Sequence, residues 1–236
     1  MGRAHEVRKE SIAKTAAKKS KLYARYGKEI YQVAKGSPNP EVNLELKRII
    51  ELARKDQVPK EIIERAIEKA KGGVDENYIP TRYEFLGPGN SNFIVECLTD
   101  NPARTIANVR NCFTKTGGKS GSVLHLFEQK AIFSFSGVSE EELLELFIEN
   151  DLDDVDFEYE EGFITVLVEP LKYYEVKQLL VNRFNDLEFE IDEIRWLPLS
   201  YQELNKTDYQ SFLTLLELLD DDEDVVRVYY NVSKQN

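Results

Sequence analysis

The chain has 236 residues, a formal net charge of -12, 42% hydrophobic and 11% aromatic residues, which supplies packed cores and argues against disorder. No stretch reaches the roughly 18 apolar residues of a membrane span, the polar and basic N-terminus lacks a signal-peptide apolar region, and two cysteines argue against a disulfide framework and for a reducing cytoplasm. The acidic total would speak against nucleic acid only if charge were evenly spread, yet it divides into +8 over residues 1–71 and -20 over 72–236, with +2 over 80–131 and -16 over 132–205.

Residues 1–72 read as a basic helical domain. Ser11 to Lys35 holds no proline, and Lys14, Lys18, Lys21, Arg25 and Lys28 recur at spacings of four and three, one stripe of a continuous helix. Leu22, Tyr26, Ile30 and Val33 fall on the opposite side. Gly36 to Pro40 ends the segment. A second helix is expected from Glu41 to Lys55 with Leu44, Ile49 and Leu52 inward. A third starts at Val58-Pro59, with Ile62, Ala66 and Ile67 inward, and stops at Gly72-Gly73. Residues 72–79 make a linker.

From Thr81 the period changes. Strands are expected at 82–86 and 92–99 around Gly87-Pro88-Gly89-Asn90, then a helix from Pro102 to Lys115 and a strand from Ser122 to Phe127. Strand 131–135, helix 139–149, strands 155–160 and 163–168, helix 171–184 and strand 187–196 follow in the ferredoxin-like βαββαβ order. A helix at 208–219 and a strand at 225–230 close the series. The expected class is an α+β multidomain chain: the helical domain plus two α/β sandwiches of ferredoxin-like type, with an acidic one (132–205) inserted in a discontinuous one (80–131 and 206–236).

The basic stripe is the leading candidate for chemistry. Glu29 is the only acid between Ile12 and Lys35, a clustering that fits contact with a phosphate backbone; the alternative is a solvated helix face. Thr99-Asp100-Asn101-Pro102-Ala103-Arg104-Thr105 sits at a strand-to-helix junction. Asp or Asn there caps the helix, while Arg104 stands in the first turn, against the helix dipole. Two roles suit Arg104: binding an anion, with Arg110, Lys115 and Lys119 following it, or pairing with an acid from the inserted domain. Gly118-Lys119-Ser120 mimics the end of a phosphate-binding loop, but Phe113 stands where its first glycine belongs and a strand follows, not a helix. Cys97, Cys112, His5 and His125 have no ligand or nucleophile spacing. The aspartates at 151–156 and 220–224 lack the glycine and glutamate of a calcium loop. No metal or cofactor is called for.

The matching stretches are Lys21 to Ile30 (KLYARYGKEI), Val58 to Gly73 (VPKEIIERAIEKAKGG), Gly87-Pro88-Gly89, Ile94 to Asn101 (IVECLTDN) with Arg104-Thr105 and Val109-Arg110, Gly117-Gly118, Gly121-Ser122-Val123, and Leu218 to Val232. Through these the chain resembles the YebC/PmpR family, which includes the mitochondrial translational activator of cytochrome c oxidase subunit I, and looks closer to its YeeN-like branch. The resemblance spans the whole chain. It implies three domains, no enzymatic activity, and regulation of gene expression through nucleic acid. Family members are described as DNA-binding probable transcriptional regulators, or as translation factors acting on ribosomes. Two departures stand out: His5 takes the place of the family's opening tryptophan, and the segment between Gly118 and Gly121 is short.

The expectation is therefore a cytoplasmic, non-enzymatic regulator with nucleic acid as partner, no membrane and no small-molecule substrate. RNA or the ribosome is the first reading, because no base-reading spacing is visible; DNA at promoters is the alternative.

Overall fold

The structure is a computed structural model and describes residues 19–72, 77–152, 155–185 and 187–233. Lys14, Lys18 and the expected helix start at Ser11 lie outside the described residues. Among the described residues there are two compact units, one built from 19–126 and 200–233 and the other from 127–199.

The first unit begins with three helices, α1 (Lys19–Ala34), α2 (Leu44–Lys55) and α3 (Lys60–Lys71). Tyr26, Ile30 and Ala34 of α1 pack on Leu46, Ile49, Ile50 and Ala53 of α2 and on Ile63 and Ala66 of α3. The Gly36–Pro40 break is pinned by Asn43, whose amide donates to Val33 O (3.0 Å) and Ser37 O (2.8 Å). The same side chain accepts from Leu46 N at 3.1 Å and so caps α2. That cap sets the phase of α2. Leu44, expected inward, becomes the first helical residue on the opposite side and is 51% exposed. Tyr26 Oη donates to Asp56 Oδ2 at 2.5 Å and ties α1 to the end of α2.

The helices are followed by a hairpin of β1 (Ile79–Leu86) and β2 (Asn92–Thr99), then α4 (Pro102–Lys115) and a two-residue β3 (Lys119–Ser120). Gly87 and Gly89 are steric necessities. A Cβ on Gly87 would lie 2.4 Å from the fully buried Phe93 ring, and Gly89 has φ +62° with Leu204 2.6 Å from where its Cβ would stand. The strand expected at 122–127 is absent. Glu84 Oε2 instead accepts from Val123 N (2.6 Å) and Leu124 N (2.7 Å), which satisfies those donors without a ladder and turns the chain into a 3-10 turn at Leu124–Leu126.

The chain then builds the second unit from β4 (Phe127–Ser136), α5 (Glu140–Glu149), β5 (Asp156–Glu160), β6 (Phe163–Val168), α6 (Tyr173–Arg183) and β7 (Phe189–Pro198). Its antiparallel sheet runs β5-β6-β4-β7, the order of a ferredoxin-like fold. Ser139 and Glu142 form a reciprocal capping box on α5. Phe133, Phe135, Leu143, Val166, Val176 and Leu180 are among its buried core.

Two last elements, α7 (Lys206–Asp220) and β8 (Val225–Tyr230), complete the first unit. Its antiparallel sheet runs β3-β1-β2-β8, with the hairpin strands central. One face packs against α4 and α7 through Phe85, Phe93, Val109, Phe113, Phe212, Leu215 and Leu219. Phe113 stacks on Phe85 at 4.2 Å and meets Phe93 edge-on at 5.2 Å.

Candidate nucleic-acid interface

The Thr99–Thr105 junction folds as its residue types dictate. Thr99 Oγ1 accepts from Asn101 N at 2.9 Å, Asn101 Oδ1 accepts from Arg104 N at 3.1 Å, and Pro102 takes the first turn, where its missing N–H costs nothing. This leaves the start of α4 facing the loop before β8, and Asp224 of that loop enters it. Asp224 is 7% exposed. Its Oδ2 accepts from Thr105 Oγ1 (2.9 Å), Arg104 Nη2 (3.0 Å) and Thr99 Oγ1 (3.2 Å), and its Oδ1 from Lys28 Nζ of α1 (3.3 Å). Burial alone would raise its pKa. Hydrogen bonds from Arg104 and Thr105 and the Lys28 charge outweigh burial and hold the carboxyl below the usual range.

Of the two roles for Arg104, pairing is the one the structure shows. Its partners are Asp100 (2.8 Å) and Asp224, so the acids come from its own junction and from the loop before β8, and not from residues 132–205. The basic stripe is engaged in the same way. Lys21 pairs with Asp221. Arg25 Nη2 reaches Asp220 Oδ1 (2.9 Å) and Asp220 O (2.8 Å), and Lys28 Nζ also donates to Glu223 O at 2.9 Å. Beside these, Arg227 of β8 bonds Glu29 of α1 at 2.8 Å. The described part of the stripe is thus not a bare solvated face: the acidic run Asp220–Asp224 pairs with it.

The remaining basic candidates behave differently. Arg110 and Lys115 are exposed on the outward side of α4, Lys119 is exposed on β3, and none of the three pairs with an acid among the described residues. The sequence carries a signal for this face that charge totals over longer windows dilute: from Asn101 to Phe127 there is no Asp or Glu at all. Asn108, Asn111, Ala103 and Ala107, all exposed, share the outward side of α4 with the cations.

Thiol chemistry finds no support here. Cys97 is buried on β2, and burial, followed by the charges of Asp222, Asp224 and Glu96, pushes its pKa up to about 12. Cys112 is half-buried, its thiol also raised by burial, with Sγ 3.8 Å from Leu218 O. A thiol held protonated is a poor nucleophile. Iodoacetamide at about pH 8 is accordingly expected to leave Cys97 unmodified in the folded protein and to alkylate it on unfolding, as read by mass spectrometry; rapid labelling of the native chain would contradict the burial. Among the described residues no group of His, Cys, Asp and Glu is placed to hold a metal ion, and no helix is long and apolar enough to cross a membrane.

Residues 3–73 match the TACO1/YebC protein N-terminal domain, and residues 78–232 match the TACO1/YebC second and third domain. The chain belongs to the TACO1/YebC family. Relatives of the same length carry the name probable transcriptional regulatory protein. One from Alteromonas mediterranea is 48% identical over 235 residues, and one from Marinobacter nauticus is 49% identical, each alignment covering 98% of both chains. A crystal structure of a conserved hypothetical protein from Aquifex aeolicus is 36% identical, with a TM-score of 0.76 over 94% of this chain and 93% of that one. The TACO1/YebC family is one of probable transcriptional regulators and not an enzyme family; the YeeN-like branch is not distinguished by these matches. The Thr99–Thr105 junction and its partner Asp224 both lie within the second matched segment of this TACO1/YebC chain.

Proposed function

We propose that the chain regulates gene expression by binding nucleic acid through its phosphate backbone, with Arg110, Lys115 and Lys119 as first contacts. One observation carries this: within the acid-free stretch from Asn101 to Phe127, these three exposed cations have no acidic partner among the described residues. Such side chains exchange condensed counterions for phosphate. Lys21, Arg25, Lys28 and Arg104, already paired within the chain, contribute less in this state.

Two features support DNA as the target. The relatives are named probable transcriptional regulatory proteins. The outward side of α4 offers Asn108 and Asn111 between small residues, and asparagine can bond adenine edges in a major groove. The translation reading shares the same phosphate contacts, made to ribosomal RNA instead. It draws on the shortness of this polar set, since phosphate contacts position a protein without specifying sequence.

Replacing Arg110, Lys115 and Lys119 together by Gln is expected to weaken binding to a short duplex. It should also lower the slope of log affinity against log salt by about 3, at roughly 0.9 for each phosphate no longer neutralised. Unchanged affinity and slope in an anisotropy titration would reject the interface. Complexes recovered from cells then separate the targets: enrichment at promoter DNA that DNase destroys supports transcription, and co-sedimentation with ribosomes that survives DNase but not RNase supports translation.

A further inference from the structure

The contact between α1 and the loop after α7 resembles a protein-phosphate interface made within one chain. On α1, Lys21, Arg25 and Lys28 present cations at the spacing of a helical stripe. Opposite them the loop lays out alternating acceptors: the Asp220 carboxylate and carbonyl, the Asp221 carboxylate, the Glu223 carbonyl and the Asp224 carboxylate. The two ends of this contact differ. Asp224 is locked into the start of α4 by three further donors. Asp220 and Asp221 hold α1 only from the rim, with side chains 39% and 58% exposed, where salt weakens ion pairs.

The fit is also incomplete. Arg25 Nε is buried and has no hydrogen-bond partner, so the loop leaves one guanidinium donor unused. A crevice of about 220 Å³ remains between the two elements, lined by Lys21, Ala24, Arg25, Lys28, Asp222 and Glu223. A phosphate, with its several oxygens, suits a guanidinium fork better than one carboxylate oxygen and one carbonyl.

We propose that Asp220 to Glu223 form an internal polyanion covering a second phosphate-binding strip, Lys21 and Arg25, and that a nucleic-acid backbone gains this strip only by displacing it. The inference rests on the nucleic-acid reading above and adds a competition to it. Asp224 stays in place during the exchange, so the helical domain is loosened at its rim and not detached. The strip then adds two phosphate contacts to those made by the α4 face.

The test uses the full chain and three forms: wild type, Asp220→Asn/Asp221→Asn, and a charge-matched control, Glu203→Gln/Glu217→Gln, both control residues being exposed. Each is titrated with short duplex DNA and with duplex RNA over about 50–200 mM salt. The loop variant is expected to bind about tenfold more tightly than the control, with a salt slope steeper by about 2 for the two cations released. Adding Lys21→Gln/Arg25→Gln to the loop variant should erase the gain. A loop variant that matches the control, while wild type binds, overturns the competition and leaves the nucleic-acid reading standing. A gain that survives Lys21→Gln/Arg25→Gln also overturns it, since the released charges then lie elsewhere. Absence of binding in every form overturns both together.

Discussion

Asp224→Asn is expected to lower the unfolding free energy by about 2 kcal/mol, because removing the buried carboxylate strands two buried threonine hydroxyls and a partly buried lysine, while the half-exposed Arg104 is re-solvated. The native carboxylate accepts from two threonines, an arginine and a lysine. An amide keeps one acceptor oxygen and turns its NH2 toward a cation or a hydroxyl. The loss falls on three elements at once: the start of α4, the loop before β8 and α1. Urea unfolding followed by circular dichroism reads the shift, and an unchanged midpoint would remove Asp224 from the centre of this arrangement. The pH dependence gives a second reading. The folded-state pKa of Asp224 is depressed, so its contribution is complete above the unfolded value of about 3.9 and fades as pH falls through the lower folded value. The gap between wild type and Asp224→Asn should therefore close in acid, below about pH 4.

Phe113→Ala is expected to cost about 4 kcal/mol, the range for emptying a fully buried aromatic site. The ring is wholly inaccessible and lies between Phe85, stacked at 4.2 Å, and Phe93, edge-on at 5.2 Å. It also closes the turn after α4, where Phe113 O accepts from Gly118 N at 2.7 Å and Phe113 Cδ1 lies 3.1 Å from where a Gly118 Cβ would stand. Phe113→Leu keeps most of the volume and should lose less than half as much. Denaturation midpoints compare the two directly. Equal losses for Ala and Leu would mean that ring contacts, and not filled space, dominate the site.

Local rules carry much of the fold into the sequence. The period of α1, the Gly87–Asn90 turn and the short apolar run of β6 each depend on neighbours within a few residues. Leu44 departs from its expected place because the phase of α2 depends on one cap, Asn43, whose amide bonds Val33 and Ser37 across a loop. The 122–127 segment has strand composition, yet Glu84 from β1 takes its backbone donors. In the site, the stripe at 21–28 is visible as a pattern, while its cover is not. Asp220 and Asp221 lie 195 and 200 residues further along from Arg25 and Lys21, and no spacing rule links segments that far apart. Arg110, Lys115 and Lys119 are legible as cations, and the missing acids of 101–127 are the feature that distinguishes them from the paired ones.

The long separation between α1 and its cover bears on how the protein is made. Translation proceeds from the N-terminus, and domains tend to fold in that order as they leave the ribosome. Every residue of the three-helix core, from Tyr26 to Ala66, is synthesised long before Asp220. The nascent helical domain therefore carries Lys21, Arg25 and Lys28 uncapped for most of its synthesis, beside a surface rich in RNA phosphate. Only when the last strand forms does the chain supply its own counter-charge and close that interval.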